Sequence, residues 1–242
     1  MKRILTVLAL SLSIGACDSG GGSAQPEKTP PPTKTAKPKG STKPAAAAPA
    51  GPSKPLAKEL TDPSLAKEKA PDKFRVTFTT TKGDFVVEVV REWAPHGADR
   101  FYNLVKIGFL KDIALFRVVQ NFVVQFGIHG HPEVAAVWRE AKLKDEPVKQ
   151  SNKQWYLTYA KGGPNSRTTQ MFINYKDNDK LDKMGFPAFG KVIEGTEVVA
   201  KFYSEYGERP SRHQQNIQQK GNRWLKKMFP ELDYIKTATI VK

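Results

Sequence analysis

Between Phe116 and Gly127 the chain reads FRVVQNFVVQFG, two short runs of β-branched and aromatic residues parted by Gln120 and Asn121. If that pair makes a turn, the runs become antiparallel strands, and the two-residue period of a strand puts Arg117, Val123 and Gln125 on one face. Phe116, Val118, Val124 and Phe126 take the other. The second face is wholly apolar and belongs against a core. The first, with a guanidinium, an amide and small apolar groups, has the make-up of a site on an outer wall.

The same period recurs along the chain. Phe74, Val76 and Phe78 alternate with Arg75, Thr77 and Thr79, and Lys82-Gly83-Asp84 supplies a turn into FVVEVV, which predicts a hairpin. From Pro95 to Ile107, Ala98, Phe101, Leu104 and Val105 fall at helical spacing, and Gly108 stands where a helix stops. This helix is expected to cap one mouth of a barrel. One strand is predicted over Ile113–Val119 and another over Phe122–Phe126. Ile128–Lys153 reads as a surface insertion, in which PEVAAVWREAKLK fits a short amphipathic helix with Val134, Val137, Trp138 and Ala141 inward. WYLTYA is a strand ending in Ala160, and GGPNSR is a loop. The strand Thr169–Asn174 turns Met171 and Ile173 inward and leaves Gln170 and Phe172 on the outer face. Leu181–Val192 supplies a loop and a strand, and Thr196 is expected to cap a helix that buries Val198, Val199, Phe202 and Tyr203 before Gly207. A Gln- and Arg-rich loop, ERPSRHQQNIQQKG, leads to a short helix NRWLKKMF and a last strand YIKTATIV that pairs with the first and closes the barrel.

The first seventy residues have a different character. Met1–Ala16 opens with Lys2-Arg3 and continues ILTVLALSLSIGA, an apolar run too short to span a bilayer comfortably and of secretory length. It is expected to be a signal peptide, residues 1–16. It ends in Ile14-Gly15-Ala16-Cys17, which resembles the lipobox of bacterial lipoproteins, so Cys17 is the expected lipidation site. As the only cysteine in the chain, Cys17 has no partner for an internal disulfide. Two or more acyl chains give stable membrane attachment where one does not. Asp18 resembles an inner-membrane retention signal. Residues 17–71, with KTPPPTKTAKPKGSTKPAAAAPAGPSKP at their centre, have almost nothing to bury and are expected to form a disordered tether, roughly 40 Å long as a coil. The folded domain is then 72–242. It keeps about +9 of the formal charge of +15, which favours anionic surfaces. Nucleic acid is not an expected partner, since an exported chain seldom meets it and no recognition motif occurs.

Other chemistries find little support. His129 and His131 have no acidic or cysteine partner at ligand spacing, so no metal is expected. GGPNSR lacks the lysine and hydroxyl of a P-loop. No Ser, His and Asp fall into a hydrolytic arrangement, and His213 lies in a polar loop.

Three ordered blocks, FRVVQNFVVQFG, AKGGPNSRTTQMFIN and LDKMGFPAFGKVIEG, together resemble the cyclophilins, the peptidyl-prolyl cis-trans isomerases. In this chain the family's Pro-Gly is Gln120-Asn121, and its S-Q-F-F-I is Thr169-Gln170-Met171-Phe172-Ile173. The resemblance runs from about Phe74 to the C-terminus. GFPAFG, EGTEVVAKFYSEYGE and GNRWLKKMFPELDYIKTATI resemble a bacterial branch. The resemblance implies a mainly β fold: a closed antiparallel eight-stranded barrel capped by two helices, plus a short C-terminal helix. It implies Arg117 as the catalytic residue. Phe122, Val123, Phe172, Leu181 and Phe186 would form the pocket for the proline ring, Gln125 and Gln170 would hold the neighbouring backbone, and Ala160 and Lys161 would contact residues before the proline. It implies no cofactor. Departures from the better-known pattern are Val123 for methionine, Lys161 for asparagine, Lys180 for tryptophan, Phe186 for histidine and Trp155 for glycine. Since that tryptophan assists cyclosporin binding in the family, Lys180 implies weak sensitivity to the drug.

The partners expected are therefore proline-containing polypeptides, and the membrane through Cys17. A monomer lipid-anchored in the bacterial envelope, with a periplasmic domain that assists folding of exported proteins, is the expected arrangement. One rival is a non-catalytic chaperone module that holds proline peptides in the same groove, although a mere binder has no need of Arg117. Another is a basic anchor to anionic envelope polymers.

Overall fold

The computed structural model describes residues 56–241; the expected signal peptide, Cys17 and the tether up to residue 55 lie outside them. Leu56–Pro71, expected to belong to the tether, is folded. It carries a single helical turn, α1 (Lys58–Thr61), and a 3-10 turn at Pro63–Leu65. It is fastened by side chains: the Trp138 indole N–H donates to the Leu60 carbonyl at 2.9 Å, and Asn103 Nδ2 donates to the Glu68 carbonyl at 2.7 Å. Asp99 accepts from the Ala70 amide at 2.8 Å. Ala70 is buried in the core, with Leu56 and Leu60 packed against it. The boundary read at residue 71 therefore moves to before Leu56. Composition hid this because most of the fastening groups lie on the domain.

Among the described residues nine strands follow: β1 (Lys73–Thr80), β2 (Asp84–Val90), β3 (Ile113–Ala114), β4 (Arg117–Val119), β5 (Val123–Phe126), β6 (Tyr156–Tyr159), β7 (Met171–Asn174), β8 (Ala188–Glu194) and β9 (Tyr234–Val241). They form one antiparallel sheet in the order β3-β9-β1-β2-β8-β6-β7-β5-β4. The predicted hairpin is present, with Phe78 opposite Phe85, and the last strand pairs with the first. The strand expected over Ile113–Val119 is two. Leu115 and Phe116 interrupt it, so β3 lies at one edge and β4 at the other. Ala114 and Arg117 are three residues apart and thus no more than about 11 Å apart. The sheet must curl until its edges are chain neighbours. Among the described residues no pairing links β3 to β4, so the hydrogen-bonded ring is open there, with nine strands rather than a closed eight.

The concave side holds the main core. Phe74, Val76, Phe78, Val124, Phe126, Met171 and Ile173 all point into it, as their alternation predicts. Helix α2 (Pro95–Lys106) starts on a proline, whose missing N–H costs nothing at that position, and lays Ala98, Phe101, Leu104 and Val105 on this core. The Phe101 ring lies 6.1 Å from Phe78 and 5.3 Å from Phe189. Burying such a side chain contributes about 1.5–3 kcal/mol.

A second apolar cluster forms outside the sheet. Phe116, assigned by parity to the core face, joins Ala114, Ile128, Ala135, Ile217, Leu225 and Phe229 instead. The break in the strand frees it to do so. Helix α3 (Pro132–Glu140) and the C-terminal helix α6 (Gln214–Met228) cover this cluster. In α3, Val134 and Trp138 are buried as predicted, whereas Val137 is exposed. Helix α6 begins eight residues earlier than the predicted NRWLKKMF, within the segment read as loop, and is broken at Gly221, whose φ of 60° is left-handed. A Cβ there would sit 2.0 Å from the Gly130 carbonyl oxygen, so only glycine lets α6 meet the loop before α3. The helix expected after Gly195 is the single turn α5 (Thr196–Val199), capped at Gly195 and not by Thr196. Val199 and Phe202 are buried as expected, and Tyr203 is half-buried. One further turn, α4 (Lys180–Lys183), stands before β8.

Candidate active site

Strand pairing builds one half of the site. Arg117 on β4 lies opposite Gln125 on β5, and Gln125 lies opposite Phe172 on β7. Partners across an antiparallel pair share a face, so these three side chains form a row on the outside of the sheet. With strands about 4.8 Å apart, Arg117 and Phe172 start roughly 10 Å from each other. Val123, two residues from Gln125, shares the face. Val123 and Phe172 are nearly inaccessible, yet neither belongs to the main core or the second cluster. Phe172 is covered on this outer face by the ring of Phe186.

The turn between β4 and β5 takes three residues, Gln120, Asn121 and Phe122, with Asn121 left-handed at φ 58°. This brings Phe122 under the arginine, whose guanidinium carbon is 5.2 Å from the ring centroid. That is cation–π range and restrains the fork. Arg117 Nη1 donates to Gln125 Oε1 at 3.3 Å. Gln125 Nε2 in turn donates to Gln170 Oε1 at 3.0 Å, and Gln170 Nε2 donates to Gln214 Oε1 at 3.1 Å. Arg117 Nη2 pairs with Glu208, and Arg117 holds the Glu208 carboxyl below the usual carboxylate range. The pair is not internal. Arg117 keeps 20% of its side-chain surface open and Glu208 47%, so water screens the contact.

The other half comes from loops. The Phe186 ring meets Phe172 edge-on, 6.1 Å between centroids. Leu181, half-buried in α4, accepts the Phe186 amide on its carbonyl. Both ride on a loop pinned by Asn152, a fully buried residue. Asn152 Nδ2 donates to Asp182 Oδ1 at 2.7 Å and to the Phe186 carbonyl at 2.8 Å, while its oxygen accepts from Thr158 and Asn174. Nothing local in the sequence marks Asn152, because its partners lie six to thirty-four residues away. Ala160 donates its amide to the Gln170 carbonyl at 2.9 Å and so lies alongside the row. Lys161 holds its ammonium 5.4 Å from the Phe186 ring and 3.5 Å from Asp145. Asp145 also faces Arg167, fully buried, which pairs with Glu146 at 3.0 Å. The side chain of Lys161 thereby ties the GGPNSR loop to the Phe186 loop. Arg167, read only as part of a turn, is the buried anchor of that tie.

Close approach at the top of the row explains Gly127. Its φ is 103°, and a Cβ would fall 2.2 Å from the Thr169 carbonyl oxygen, so a side chain there would push β5 from the start of β7. Trp155 stands where the resemblance has glycine and does take a left-handed φ of 67°. It is held by its amide on the Asn174 carbonyl at 2.7 Å and by the Tyr175 ring 5.8 Å away. His129 is buried. Burial beside the Phe109 ring lowers its pKa to about 4, and its Nδ1 accepts the His131 amide at 3.1 Å. Among the described residues no group of three or more His, Cys, Asp or Glu is spaced for a metal.

All ten residues expected at the site thus lie along one outer face and its bordering loops, and Cys17 lies outside the described residues. Residues 75–221 match the family model described as cyclophilin type peptidyl-prolyl cis-trans isomerase/CLD. The chain is 30% identical to peptidyl-prolyl cis-trans isomerase B of Escherichia coli over 153 residues, 57% of this chain and 90% of that one. A crystal structure of a cyclophilin type peptidyl-prolyl cis-trans isomerase of Cryptosporidium parvum is similar in fold, with TM-score 0.54 and 21% identity over 70% of this chain and 98% of that one. The same protein in the presence of the dipeptide Ala-Pro gives TM-score 0.52 at 21% identity, over 69% and 99%.

Proposed function

The chain belongs to the cyclophilin-type peptidyl-prolyl cis-trans isomerases, and from that premise we propose that Arg117 is its catalytic residue and that the hollow of Val123, Phe172, Leu181 and Phe186 receives the proline ring. Rotation about an X-Pro bond breaks no covalent bond; the barrier of about 18–20 kcal/mol comes from amide resonance. As the amide twists, a lone pair appears on the prolyl nitrogen. A guanidinium that donates to it withdraws that pair from conjugation with the carbonyl and stabilises the twisted state above either planar one. No metal, nucleophile or proton relay is required. Arg117 suits the task because it is permanently charged, planar and braced by Phe122, Gln125 and Glu208. The row Arg117–Gln125–Phe172 across three adjacent strands is the observation that carries the proposal: a fixed cation, a backbone-holding amide and an apolar wall within one substrate length. Gln170 joins Gln125 in holding the peptide, Phe122 supports the fork, and Ala160 and Lys161 border the residues before the proline. The substrates are proline-containing polypeptides, in keeping with the dipeptide offered to the Cryptosporidium protein.

We further propose the coarse organisation of the whole chain: a signal peptide over residues 1–16, lipidation at Cys17, a tether, and an isomerase domain of the bacterial branch that assists exported proteins as a monomer at the envelope membrane. Support comes from the basic start, the apolar run and the Ile14-Gly15-Ala16-Cys17 sequence. Incorporation of a labelled fatty acid in the native host, abolished by Cys17→Ser, tests the anchor.

The test of the site is an isomerisation assay on an X-Pro tetrapeptide with the full chain, parent against Arg117→Ala. Losing a charge-assisted hydrogen bond costs about 1.5–3 kcal/mol, so kcat/KM is expected to fall by about tenfold to a few hundredfold. Equal rates would remove Arg117 from the mechanism.

A further inference from the structure

The hydrogen-bonded row at the site does not end with residues of the three family blocks. It runs from Arg117 through Gln125 and Gln170 to Gln214, the first residue of α6. Its direction is dictated chemically. A guanidinium has donors only, so Gln125 must turn its oxygen toward Arg117 and its amino group away. Gln170 must then offer its oxygen to Gln125 and its amino group to the next residue, which has to be an acceptor. Gln214 is that acceptor.

The same segment reaches the other end of the row, where Glu208 engages Arg117. It is firmly seated between the two contacts. Ser211 Oγ donates to the Glu208 carbonyl at 2.8 Å, the His213 ring lies 5.8 Å from Trp224, and Ile217 is buried in the second cluster. Gln214 is therefore presented to Gln170 by a fixed element, and not by a free loop.

Resting on the assignment of the groove to proline peptides, we infer that Gln214 is a positioning residue: it terminates a one-way chain of amides that begins at Arg117 and locks the Gln125 and Gln170 side chains in the single orientation that meets a substrate backbone. With the chain locked, each of the two amides keeps one N–H and one oxygen lone pair free for the peptide. Without an acceptor at 214, the outward N–H of Gln170 loses its partner and only the contact with Gln125 still holds the side chain, so Gln170 is freer to swing away from the position the substrate needs. A donor-only side chain at 214 is worse. The two amides left, Gln125 and Gln170, cannot run consistently between two donors, so one contact in the row must fail.

Three substitutions in the full chain separate this from simple packing. Gln214→Glu keeps the acceptor, Gln214→Leu removes it at similar size, and Gln214→Lys reverses it. Each is measured for kcat and KM on an X-Pro tetrapeptide and for Kd of the same peptide by calorimetry, with thermal unfolding as the control for folding. The expected order of affinity is parent and Gln214→Glu within twofold of each other, Gln214→Leu weaker by about threefold to tenfold, and Gln214→Lys weaker still, the loss falling on KM and Kd with kcat within about twofold. Equal losses in all three variants, or no loss in Gln214→Leu and Gln214→Lys, overturn the assignment. If Arg117→Ala proves as active as the parent, the catalytic reading of Arg117 fails, while the order of the three Kd values still decides for or against Gln214.

Discussion

The two halves of the site are built by different means. Arg117, Val123, Gln125 and Phe172 stand on adjacent strands, where backbone pairing sets both spacing and facing direction. Leu181, Phe186, Lys161 and Gln214 stand on loops and a helix end, where single buried side chains such as Asn152 and Arg167 do the fixing. In the first half a substitution removes a function and leaves the frame. In the second, removing one distant residue moves several others.

Arg117→Ala should mark the strand half most sharply: kcat/KM falls up to a few hundredfold while the thermal midpoint stays near that of the parent. If the midpoint falls as well, the two halves are not separable as described. Asn152→Ala should show the reverse. Thr158 and Asn174 lose a buried partner and the Phe186 carbonyl is released, so stability should drop by on the order of 3 kcal/mol in urea unfolding. KM should rise more than kcat falls.

Acid offers a graded version of the same comparison. The His129 imidazole protonates near 6.5 when unfolded but only at about 4 when folded, because burial disfavours its charge. Between those values the unfolded chain binds more protons, so stability rises with pH through this window and is lost as pH falls toward 4, by about 3 kcal/mol in all. His129→Phe should flatten that slope, and unchanged slopes in the two proteins would show that His129 is not the group responsible. The smallest effect belongs to Glu208→Gln. The pair with Arg117 is open to water and worth no more than about 1 kcal/mol, so kcat/KM should fall by less than about fivefold, with the difference shrinking in high salt.

Legibility in the sequence followed the same division. Alternation alone assigned the facing of Val118, Val124, Met171 and Ile173, and put Arg117 beside Gln125 across a turn, because a strand's period is a local property. The family blocks then supplied Phe186 and Lys161. What stayed hidden depends on partners distant in the chain. Asn152 is an ordinary asparagine until Phe186 arrives thirty-four residues later, and Glu208 is one charge in a polar loop until it meets an arginine ninety-one residues earlier. Phe116 misled for a related reason: its parity was right for an unbroken strand, but the chain leaves one sheet edge there to join the other. The docked segment Leu56–Pro71 was invisible because most of its fastening groups, Trp138, Asn103 and Asp99, belong to other elements.

The strand Tyr234–Val241 lies between Lys73–Thr80 and Ile113–Ala114 in the sheet, although it comes after every other described strand in chain order. Until it arrives, both neighbours present bare amide and carbonyl rows, and nothing local can substitute for contacts spanning a hundred and twenty residues or more. A chain cut short before Tyr234 should therefore remain adhesive and unfinished, however complete its reactive residues. In this molecule the eight-residue stretch works as a keystone, since it alone joins the edge strand Ile113–Ala114 to the rest of the sheet.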